Sequence, residues 1–126
     1  MPEIMKWIAI LVLAFPAIGL AEPEPEFHLC SSYVEKSAVG EPSDLGWPVF
    51  VKLTAAGTTS FEAFTESNAD KTIRVVVGPQ VFSRATVWVP VPGGHLRGVF
   101  GSQEVAADWQ RILAGELPAG PCGARN

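Results

Sequence analysis

The sequence predicts an α+β domain: a mixed or antiparallel sheet of four to five strands with two helices packed on one face. Three observations carry that expectation. Stretches of strand periodicity lie on both sides of a segment with helical spacing, two β-branched runs flank a Gly-Pro turn, and an amphipathic helix follows the last strand signal. Of the 126 residues 48% are apolar and only 17% charged, so burial can offset the entropy of ordering, and the length suits one domain.

The N-terminus is set apart from that domain. After Lys6, residues 7–21 run without a charge, and Pro16 and Gly19 interrupt the second half. A transmembrane helix wants roughly 20 apolar residues, more than this run supplies. A basic residue, a short apolar core, a helix breaker and small residues at Gly19 and Ala21 match a cleavable export signal over residues 1–21. Cleavage is expected between Ala21 and Glu22. Glu3 fits a basic leader poorly, which makes Met5 an alternative start, and an uncleaved anchor spanning a thinned bilayer is the competing reading.

Residues 22–26 alternate Glu with Pro and read as an extended, exposed leader ahead of a single domain over residues 27–126. Residues 27–34 alternate as a strand, with Phe27, Leu29 and Tyr33 on one side and His28, Cys30 and Ser32 on the other. Residues 37–47, with two glycines, Pro42, Ser43 and Asp44, read as a loop. Residues 48–53 set Val49, Val51 and Leu53 against Phe50 and Lys52, a second strand. Thr54 then supplies a helix N-cap; Phe61 and Phe64 share a helix face, and residues 67–70 end the element. Gly57 within this helix is out of keeping with helix propensity, at about 1 kcal/mol relative to Ala.

Residues 72–77 and 81–89 form a hairpin across Gly78-Pro79-Gln80. The second run is partly apolar on both faces, which predicts a central strand. Pro90 and Pro92 stop it, Gly93-Gly94 turns, and residues 95–100 give a short last strand. Over residues 102–114 the spacing of Val105, Trp109, Ile112 and Leu113 is helical, with Gly115 as the stop and Pro118 and Pro121 beyond it.

Removing the signal takes away one acid and one base, so the net charge remains -4. An acidic surface with scattered Lys and Arg argues against nucleic acid as a partner, because phosphates require a basic face. The two cysteines, Cys30 and Cys122, stand near the two ends of the exported part. An even pair in an oxidising compartment is most simply a disulfide; free thiols or a redox pair are the alternatives, and a redox pair usually sits as Cys-x-x-Cys.

From residue 46 onward the chain resembles a known family. The run Pro48-Val49-Phe50-Val51-Lys52-Leu53-Thr54, then Gly57, Phe61, Asn68, Lys71 and the strand Ile73-Arg74-Val75-Val76-Val77, is similar to the head subdomain of the large periplasmic domain of SecD, the accessory subunit of the bacterial Sec translocase. Val81-Phe82-Ser83, Val91-Pro92-Gly93-Gly94, Gly98-Val99-Phe100 and Leu113-Ala114-Gly115-Glu116-Leu117-Pro118 follow in the same order as that subdomain's hairpin, turn and closing helix. Gly78-Pro79 stands where the family tends to have Asp-Gly, and Arg84-Ala85 where Ala-Pro is usual, so the hairpin departs from the pattern. The resemblance implies a stand-alone exported copy of a domain that contacts emerging polypeptide. A polypeptide or an envelope protein is the implied partner, in the periplasm or secreted, with no membrane span in the exported part, and the family carries no active-site residues to transfer.

The residues themselves offer little chemistry. Two histidines, His28 and His95, fall short of the three or four ligands a metal site needs, and no Gly-x-Ser-x-Gly or nucleophile motif occurs. No cofactor is implied, and Gly93-Gly94 lacks the residues of a phosphate loop. Trp109 on an apolar helix face reads as core. Phe82, Arg84, Thr86 and Trp88 share one strand face in simple alternation, so Phe82, Arg84 and Trp88 are the candidate partner-binding residues. The alternative is a small secreted enzyme or inhibitor, which would need a deep polar pocket gathering His95, Arg97 and carboxylates.

Overall fold

A computed structural model of the chain describes residues 23–89 and 93–125. The expected export signal at residues 1–21, its expected cleavage point and the expected Pro90/Pro92 strand stop lie outside the described residues. Among the described residues, seven strands and two helices follow in the order β1 (Glu26–His28), β2 (Val34–Val39), β3 (Trp47–Leu53), α1 (Ala55–Ser67), β4 (Thr72–Val77), β5 (Gln80–Thr86), β6 (His95–Phe100), α2 (Gln103–Gly115) and β7 (Gly123–Arg125).

The α+β class stands, with the strands divided between two sheets. A mixed four-stranded sheet has the order β5-β4-β1-β7, with β1 parallel to β4 and antiparallel to β7. An antiparallel three-stranded sheet has the order β2-β3-β6. Helix α1 lays Phe61 and Phe64 onto Phe27 of β1, at ring-centroid distances of 5.0 and 5.3 Å. Helix α2 lays Trp109 against Phe82 of β5 and Phe100 of β6, at 5.4 and 5.7 Å. These aromatic groups and the buried aliphatics Leu29, Val49, Val51, Ile73 and Val75 form one continuous core.

Both helices start as their N-caps dictate. Thr54 Oγ1 accepts from the Gly57 N–H at 3.2 Å, and Ser102 Oγ accepts from the Val105 N–H at 3.2 Å. Gly57 itself has a packing reason. A Cβ there would lie 2.6 Å from the Tyr33 carbonyl oxygen, so the helix approaches the β1–β2 turn more closely than any side chain allows.

The observed strands correct the sequence-based expectations in four places. Residues 27–34 are not one strand: β1 stops at His28 and a turn, closed by the Tyr33 N–H on the Cys30 carbonyl at 3.0 Å, carries the chain to the other sheet. Leu29 and Cys30 are consecutive and both 0% exposed, which alternation does not allow within a single half-buried strand. The expected loop over residues 37–47 contains the end of β2, whose Glu35, Lys36 and Ala38 face water and leave no apolar signature. The second hairpin strand, expected to be central, is the edge of its sheet. The fourth is β7, a three-residue strand absent from the expected order.

Cys30 and Cys122 are bonded, with Cα atoms 5.3 Å apart across 92 residues of chain. They sit immediately after β1 and before β7, which pair through Phe27 and Ala124 and through His28 and Gly123. The bond thus clamps the last strand to the first.

Candidate functional site

The three candidate partner-binding residues do not share a face. In the β4–β5 ladder Val75 opposes Ser83 but Val76 opposes Val81, so Phe82 is an extra residue, a bulge. The bulge turns Phe82 inward with Ser83, where it is 2% exposed and packed on Phe100 and Trp109. Arg84 stays on the outer face opposite Arg74. Its Nε donates to Glu24 at 2.8 and 3.0 Å and its Nη2 to the same carboxylate, while Arg74 donates to Glu26. The leader is therefore fastened to β4 and β5, and the Arg84 hydrogen bond holds the Glu24 carboxyl below its ordinary value.

Trp88 lies beyond the end of β5 and is 73% exposed, with Val89 beside it at 68%. The two stand at a groove of about 350 Å³ between the inner face of the four-stranded sheet and β6. Its walls are Phe61, Ile73, Val75, Ala85, Val87 and Leu96; Ser83, Thr86, His95 and Arg97 supply the polar contacts, and among the described residues no carboxylate lines it. An open groove with apolar walls and exposed aromatic and aliphatic groups suits an apolar side chain or extended segment. It gathers the His95 and Arg97 that the enzyme alternative requires, but no carboxylate stands with them among the described residues.

Of the other residues considered from the sequence, His95 borders the groove and Trp109 and His28 do not. Trp109 is core, at 8% exposure. His28 is on β1, its Nε2 3.4 Å from Glu26, whereas His95 is exposed on β6. Among the described residues no group of three or more His, Cys, Asp or Glu is placed to hold a metal ion. Val89, Ile73 and Leu96 were not singled out as site residues. Each reads as ordinary strand hydrophobe, and only the meeting of two sheets gathers them.

No family model and no curated protein matches the sequence. Solved structures do match the fold. A crystal structure of SecDF in a super-membrane-facing form aligns with a TM-score of 0.60 at 18% identity, over 75% of this chain and 13% of that one. A second, described as the structure and function of a membrane component SecDF that enhances protein export, aligns with a TM-score of 0.63 at 18% identity, over 76% of this chain and 44% of that one. The chain therefore folds as an α+β domain of the kind found in SecDF, and the resemblance read from its segments holds at the level of fold. It spans less than half the length of either SecDF chain.

Proposed function

We propose that the protein is an exported, non-enzymatic module that binds polypeptide in the cell envelope as an accessory to protein export. The observation that carries the reading is the open, apolar-walled groove beside the exposed Trp88 and Val89. The fold it shares with SecDF supports the connection to export. The Cys30–Cys122 bond supports an oxidising compartment, as does the signal pattern of residues 1–21. Cleavage after Ala21 releases the domain, and amino-terminal sequencing of the exported form begins at Glu22 on this reading.

The binding test uses a permanently unfolded polypeptide, reduced and alkylated at its cysteines, titrated against the exported protein while tryptophan fluorescence is followed. Saturable binding that weakens about tenfold or more in Trp88→Ala/Val89→Ser, with unchanged circular dichroism, supports the reading. Equal affinity of the variant, or no binding by the unaltered protein, refutes it.

A further inference from the structure

The open face of the three-stranded sheet carries a charge pattern that folding does not require. In the register of β2, β3 and β6, Lys36 stands opposite Lys52 and Lys52 opposite His95, so three basic side chains form one row across three strands. The neighbouring row is Ala38, Phe50 and Arg97. Directly opposed residues share a face with Cβ atoms about 5 Å apart, and like charges in that position are destabilising.

Val49, Val51, Leu53 and Leu96 fill the other face of this sheet and are buried, so the two rows point to solvent. Lys36, His95 and Arg97 are exposed, and Phe50 is 46% exposed. Gly40, just past the end of β2, lies against the Phe50 ring so closely that a Cβ there would collide with it, so the ring packs over this glycine. Glu35 lies 3.5 Å from Lys52; Lys36 and Arg97 have no ion-pair partner among the described residues. In a chain of net charge -4 this basic cluster is a local arrangement, not a consequence of composition.

We infer that this face is a second binding surface, for an acidic polypeptide segment carrying an aromatic or large apolar residue. The anchor stacks on Phe50, and flanking carboxylates meet Lys36, Lys52 and Arg97. Charge complementarity selects a segment over an anionic bilayer. An extended anionic surface also meets the acidic remainder of the protein, whereas a short segment touches only the patch, beyond which charges are screened within about 8 Å at physiological salt. The surface is distinct from the groove, although His95 and Arg97 border both.

The probe is a synthetic peptide of glutamates flanking one tryptophan, with its lysine counterpart and phosphatidylglycerol vesicles as comparisons, followed by amide chemical shifts of the exported protein. The expected result is saturable binding of the glutamate peptide with shifts at Ala38, Phe50, Lys52 and Arg97, weakening as salt rises. Affinity falls about tenfold in Lys36→Glu/Arg97→Glu, and Phe50→Ser also weakens it, while Trp88→Ala leaves it unchanged. Failure of the glutamate peptide to bind overturns the proposal, as does equal binding of the lysine peptide or indifference to the charge reversal. Binding to the vesicles without the peptide overturns it in favour of a membrane surface. The Trp88 variant keeps this outcome separate from that of the groove.

Discussion

At the scale of single residues, Trp88 and Trp109 show how differently one side-chain type is used. Trp109 interlocks with Phe82 and Phe100 in the core, and truncating it or Phe82 to alanine is expected to cost about 3–5 kcal/mol in urea unfolding. Trp88 is 73% exposed, and Trp88→Ala is expected to leave stability within about 0.5 kcal/mol. A comparable loss at both positions would place Trp88 in the core and remove it from the groove. Gly57→Ala is a second diagnostic. Helix propensity alone favours alanine by about 1 kcal/mol, but the added carbon would sit 2.6 Å from the Tyr33 carbonyl oxygen, so net destabilisation is expected in thermal melts. Glu24 gives a pH test. Its hydrogen bond with Arg84 lowers its native pKa beneath the ordinary 4.5, so the pair's contribution is present above that value and lost as pH falls through the lowered native one. Because the pair is exposed the effect is small, and Glu24→Gln is expected to flatten the acid limb of a stability-versus-pH curve slightly; a steeper limb would contradict the assignment.

At the scale of elements, β7 depends on its tether. It has three residues and pairs with a three-residue neighbour, so its place rests on the Cys30–Cys122 bond. Replacing both cysteines with serine is expected to cost about 2–5 kcal/mol, read as a lower urea midpoint, with faster amide exchange appearing first at Ala124. Both helices, β3, the β4–β5 hairpin and β6 were legible in the sequence, because each carries either apolar periodicity or a cap or turn residue with a mechanism, as at Thr54 and Gly78. β2 was not. Its outward Lys36 and Ala38 and half-buried Val34 and Ser37 give no alternation to read. Nor was the orientation of Phe82, since alternation predicts it beside Arg84 until one bulged residue reverses the parity. Of the residues proposed from alternation, Trp88 and Arg84 are exposed and Phe82 is buried, and Trp88 lies past the end of the strand face it was assigned to. The groove itself joins β4, β5, β6 and α1, and no local pattern encodes that meeting.

At the scale of the whole molecule, the two sheets and two helices of the described residues share one core but leave two different surfaces: an apolar groove where the sheets meet, and a basic sheet face carrying Phe50. The fold is shared with part of SecDF, and the groove is the surface to which polypeptide binding is proposed. The most direct test places a photo-activatable crosslinker at position 88 of the protein, with position 111 on helix α2 as the control, while a radiolabelled secretory precursor is arrested partway through export. The account predicts adducts to the arrested precursor from position 88 and few from position 111. Absence of adducts from position 88, or equal yields from both, would contradict it.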